Sequence, residues 1–222
     1  MTKSLIRVWD LPTRAFHWLL AACVIGLVTT AQIGGAAMEW HFRLGYAVLV
    51  LLLFRLVWGF GGGYWSRFGS FIFSPKTLFA YLRGQGEPRH AVGHSPMGAL
   101  SVFALLIFLL AQVGSGLFSD DEIAAVGPLS KFVSGALVSK LTFYHKEVGK
   151  LVLLLLVALH IGAILFYLFK RRDNLIRPML TGDKWGPAGL PVSRDDGRSR
   201  TLALLLAVAC GALVLALLRF AG

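Results

Sequence analysis

Charge is what this sequence has least of. Only 15% of its 222 residues are Asp, Glu, Lys or Arg, and just 11 are acidic. A soluble domain of this length needs far more polar surface, so a soluble fold is excluded, and the mean hydropathy of +0.70 agrees. Cysteine is nearly absent as well. Cys23 and Cys210 each lie inside an apolar run and read as small buried hydrophobes, which excludes a disulfide framework. The chain also has no internal repeat, no low-complexity tract and no carboxylate in the middle of an apolar run. Those absences weigh against a transporter whose histidines relay protons.

What remains is a set of long apolar runs. Ala15 to Met38, Ser95 to Ser119, Leu151 to Phe169 and Thr201 to Leu218 carry no charged residue. A hydrocarbon core about 30 Å thick takes roughly 20 apolar helical residues to cross. A fifth run, about His41 to Phe60, is broken only by Arg43 and Arg55 near its ends, where long side chains can snorkel to water. The expected fold is an all-α membrane protein: an up-and-down four-helix transmembrane core with an additional C-terminal fifth transmembrane helix. The domain reading is 1–184 for the core and 185–222 for a cytoplasmic linker and the fifth span.

The formal net charge of +11 is sorted by position. With the N-terminus inside, fifteen of the 22 basic residues fall in the cytoplasmic segments, as positive-inside insertion requires. The expected location is the bacterial inner membrane, with the C-terminus periplasmic. The basic excess then serves insertion and contact with anionic membrane lipid, and no nucleic acid partner is expected. Asp120, Asp121 and Glu122 cluster in the outer loop, about 120–144, where a short helix is expected near Leu129 to Leu137.

Local signals place the boundaries. Asp10 and Pro12 suggest a helix start, and Trp9 and Trp18 suit a headgroup region. Ser95 followed by Pro96 reads as an N-cap and first helical residue. Pro75 followed by Lys76 to Leu82 reads as a short amphipathic helix on the membrane face. The polar stretch Lys170 to Arg200 reads as a linker.

Six histidines carry the chemistry. Fifteen residues separate His145 from His160, or about 22 Å along a helix, with both able to face the bundle interior. His145 then falls at the depth of His41 and His160 toward that of His17, although the second match is off by roughly 10 Å. Two opposed imidazoles on facing helices are what a bis-histidine haem iron requires. Singly, His41 and His145 read equally well as interfacial hydrogen-bonding residues. For His160, deep in an uncharged span, that bland reading is weaker, because a polar side chain there is costly and usually functional. Arg43 and Arg55 are placed to pair with haem propionates or to snorkel. His90 and His94 read as solvated loop residues. Gly26, Gly45, Gly114, Gly149 and Gly162 could let a planar cofactor approach the backbone.

The segments RVWDLPTRAFHW, WHFRLGYAVLVLLLFRLVWGFGG, RFGSF, GHSPMGAL and PMLTG, with the two histidines of the fourth span, resemble the superfamily of bacterial cytochrome b561 and nickel-iron hydrogenase b-type cytochrome subunits. The resemblance runs from about Arg7 to Lys184. It implies two b haems held by His17, His41, His145 and His160. It also implies electron exchange between a membrane quinone and a redox partner such as a hydrogenase or a c-type cytochrome. Some members oxidise superoxide to reduce quinone, so a superoxide:quinone oxidoreductase is the alternative. A cationic funnel of Arg43, Lys131, Lys140, Lys146 and Lys150 would favour it. Span five lies outside the matched region.

Overall fold

The computed structural model describes residues 2–120 and 125–222. Asp121 and Glu122 of the acidic cluster lie outside the described residues. Among the described residues, five helical stretches are long and apolar enough to cross a membrane: Leu11–Ile33, Gly35–Gly61, Pro96–Leu117, Gly135–Phe169 and Gly197–Ala221. The protein is therefore a multi-pass, all-α membrane protein. Only a minority of the residues on these helices are buried, and large apolar side chains such as Ile25, Leu155 and Leu205 are exposed, as a lipid-facing surface demands.

The helices start where capping chemistry is available. In α1 (Leu11–Ile33) the Asp10 carboxylate accepts from the Thr13 amide at 2.8 Å. Ser95 accepts from the Gly98 amide at 3.1 Å and opens α4 (Pro96–Leu117), and Ser74 does the same for the amphipathic α3 (Pro75–Leu82). Helix α2 (Met38–Gly61) follows α1 through a tight turn in which Gly34 and Gly35 hold φ of 65° and 53°, values that a side chain would strain.

Two features depart from the sequence reading. The fourth span begins earlier than Leu151: α5 (Gly135–Phe143) runs through a π-helical segment (Tyr144–Gly149) into α6 (Lys150–Phe169). The short helix expected near Leu129 to Leu137 is a single 3₁₀ turn at Ser130–Phe132, followed by α5 itself. The lead-in and linker are also more ordered than their polarity suggests. Strand β1 (Lys3–Arg7) pairs antiparallel with β2 (Asp183–Pro187), with Lys3 opposite Pro187 and Arg7 opposite Asp183. Between α6 and β2 lies α7 (Ile176–Thr181), and Gly182, at φ 91°, ends it. The last helix is α8 (Gly197–Ala221), capped by Asp196.

The chain forms two compact units: residues 1–17, 55–104 and 159–205, and residues 18–54, 105–158 and 206–222. In the first, Ile6, Val8, Trp9, Trp65 and Val92 form a core against which Met179 and Leu190 pack. Arg7 ties this unit together by binding Asp183 and Asp195, each at 2.6 Å, and Asp195 also accepts from Arg200 and the Leu11 amide. Burial alone would raise the Asp195 pKa. Hydrogen bonds from Arg200, Leu11 and Arg7 outweigh burial and hold it below the usual carboxylate range. In the second unit, Phe132 stacks on Phe220 with ring centres 5.6 Å apart, and Leu129 donates to the Leu117 carbonyl at 2.9 Å.

Candidate functional site

In the first unit, α1 and α6 bring His17 and His160 together, their ring centres 6.4 Å apart and their planes at 51°. The depth mismatch is absorbed by the lead-in. Helix α1 starts at Leu11, so six residues, about 9 Å of rise, precede His17.

The same unit holds a polar cluster. Asp10 is fully buried and accepts four hydrogen bonds, from the Thr13 amide, the Gly63 amide, Ser66 Oγ and Trp58 Nε1, at 2.8 to 3.2 Å. Arg55, 3% exposed, lies over the Phe68 ring at 4.6 Å and interacts electrostatically with Asp10. One of its nitrogens, Nη1, is buried with no hydrogen-bond partner among the described residues. A guanidinium nitrogen in that state is costly unless an anion meets it.

His94 and His90 depart from the sequence reading, since neither is a solvated loop residue. The His94 ring is held between Trp9 and Phe71, at 4.7 and 4.3 Å, and its Nδ1 is buried without a partner among the described residues. Burial, with Arg55 and His160 adding to it, pushes its pKa down to about 3, so the ring is neutral at physiological pH. His90 is 6% exposed and accepts the Glu87 amide at 3.0 Å, closing a capping turn.

In the second unit, α2 and the π-helical segment bring His41 and His145 to a ring-centre separation of 6.2 Å, nearly perpendicular at 87°. Each uses Nδ1 on a backbone carbonyl: His41 on Leu27 at 3.0 Å, His145 on Gln112 at 2.8 Å. A proton held on Nδ1 leaves Nε2 as the free lone pair, which is the arrangement of a metal-ligating imidazole. Gly45, one turn beyond His41, and Gly114 have open space where a side chain would stand. Gly162, after His160 in the first unit, is similarly open. Gly26, by contrast, packs on Leu44, and Gly149 on Gln112. Arg43 is exposed, ion-paired with Glu39 one turn away and lying over Trp40 at 5.0 Å.

Both separations fit an iron between two imidazoles. A ligating nitrogen lies about 2 Å from the metal and about 1 Å from its ring centre, which puts opposed ring centres about 6 Å apart. Among the described residues no three His, Cys, Asp or Glu side chains converge as they would around a bare ion. The donor set therefore suits a cofactor that brings its own equatorial ligands and asks the protein for two.

Five apolar spans with imidazoles paired inside them fit the class of membrane cytochromes. The chain belongs to the prokaryotic cytochrome b561 family, whose model matches residues 8–182. It is a b-type membrane cytochrome, an electron-transport protein with haem b as its cofactor. Similar curated proteins are each named "Probable Ni/Fe-hydrogenase B-type cytochrome subunit". That of Bradyrhizobium diazoefficiens is 23% identical, covering 82% of this chain and 87% of the relative. That of Azotobacter chroococcum is 24% identical, covering 87% and 91%. That of Cupriavidus necator is 22% identical, covering 79% and 85%. No solved structure matches.

Proposed function

We propose that this chain is a di-haem electron carrier of the inner membrane, linking the quinone pool to a redox partner of the hydrogenase or c-type cytochrome kind. The observation that carries the reading is the two imidazole pairs, at 6.4 and 6.2 Å, one in each compact unit. A haem in each would supply a one-electron couple with no open coordination position, which suits transfer and not substrate binding. His17 and His160 hold one, His41 and His145 the other. The Leu27 and Gln112 carbonyls fix the imidazole tautomer of the second pair, and the buried Arg55 nitrogen supplies a counter-charge for a propionate of the first. The relatives' names support a hydrogenase as partner.

The basic residues of the segments around Arg67 to Arg89 and Lys170 to Arg200 support a cytoplasmic N-terminus and a periplasmic C-terminus. Residues 1–184 then form the di-haem domain, and 185–222 add a linker and one more span.

The superoxide:quinone alternative needs a cationic funnel beside the second pair. Arg43 is instead neutralised by Glu39, and Lys131 and Lys146 share an open cavity of about 730 Å³ with Asp120 and Glu147. That mixed surface favours a protein partner. Stopped-flow mixing of the purified protein in lipid nanodiscs separates the two readings. The carrier reading expects the b-band to be reduced by a quinol and untouched by superoxide; reduction by superoxide without a protein partner contradicts it.

A further inference from the structure

The π-helical segment Tyr144–Gly149 interrupts the longest span of the molecule, and His145 is its second residue. A π-turn shifts carbonyls out of the α-helical register and commonly marks a functional site. Here the helix facing it supplies the missing order. Gln112 of α4 donates its side-chain amide to the His145 carbonyl at 2.9 Å, while His145 Nδ1 donates to the Gln112 carbonyl at 2.8 Å. Backbone and side chain of one residue are thus each bonded to the other, in opposite directions. The Ser115 hydroxyl stands 3.4 Å from the same Nδ1.

Two glycines make the approach possible. A Cβ on Gly149 would lie 2.1 Å from Gln112 Oε1, and one on Gly116 would lie 2.8 Å from His145 Cε1. The other end of the amide, Oε1, is buried with no hydrogen-bond partner among the described residues. Burying an amide with its acceptor unmet is unfavourable. What compensates is the bond from Nε2 to the His145 carbonyl.

We infer that Gln112 is the positioning residue of the His145 imidazole, a clamp that fixes the ring's rotation and the strength of its Nδ1–H···O bond and so tunes the haem it would ligate. The inference rests on the di-haem reading above. A strong Nδ1 hydrogen bond makes an imidazole a more basic ligand, which favours the ferric state and lowers the potential. Releasing the clamp therefore raises the potential of one haem and leaves the other unmoved.

Gln112→Met keeps the length and volume of the side chain and removes the donor. Gly149→Ala displaces the same amide from the opposite helix. Both variants are purified alongside the wild type and His145→Ala, then followed by redox titration and by EPR of the oxidised, low-spin form. Expected is full haem content in both variants, an upward shift of one midpoint only, and a changed EPR signal for that haem alone. Wild-type potentials and EPR in Gln112→Met overturn the inference, provided His145→Ala has lost one haem. Retention of both haems by His145→Ala overturns the ligand assignment beneath it. Loss of haem in Gln112→Met, with the second haem also perturbed, shows a general packing role and likewise overturns the clamp.

Discussion

Asp10 accepts four hydrogen bonds while fully buried. Its two oxygens hold the first turn of α1, the indole of Trp58 and the Gly63–Ser66 turn. Replacing it by alanine leaves several buried donors unmet and is expected to lower stability by about 2–4 kcal/mol. Thermal unfolding in detergent, with Asp10→Asn as the milder control, measures this. At this scale the sequence was partly legible. His160 stood out because an imidazole in an uncharged span is expensive, and its spacing from His145 put both in reach of partners on α1 and α2. His94 did not stand out: a histidine among Gly, Ser and Pro looks solvated, and only the fold reveals that Trp9 and Phe71 enclose it. Gln112 carried a signal that position alone could have raised, as a polar amide within an apolar span.

Among the elements, the apolar helices were legible because lipid demands a length and a composition that can be counted. Two of their caps were legible too, since Asp10 and Ser95 each directly precede a helical run. The β1–β2 pairing was not. Its strands are five residues each, and they are 176 residues apart at the Arg7–Asp183 contact. No local pattern announces such a partner. The π-segment was equally invisible: the bond its His145 carbonyl accepts comes from Gln112, on another helix. Close packing between α2 and the turn after it yields a test: a Cβ on Gly59 would sit 2.1 Å from the Phe68 ring, which itself lies under Arg55. Gly59→Ala is expected to cost about 1–3 kcal/mol through overpacking, against near neutrality for Gly61→Ala, which has open space.

For the whole molecule, the N-terminal strand, the linker and the last helix are joined through Asp195, whose side chain is 4% exposed and whose neighbours are Arg7, Arg14 and Arg200. Its pKa is depressed in the fold, so the stabilisation it gives is present above its unfolded value, about 3.9, and is lost as pH falls through the folded value. Acid titration of unfolding should therefore show a loss below pH of about 4 that Asp195→Asn removes, at the expense of lower stability near neutrality. The proposed di-haem carrier requires four imidazoles that work two by two. Haem stoichiometry by the pyridine haemochrome method, on the wild type and on single alanine variants of His17, His41, His145 and His160, tests it most directly. Two haems per chain, with one lost whichever histidine is removed, is the expected result. A single haem in the wild type, or two retained in any of the four variants, would contradict it.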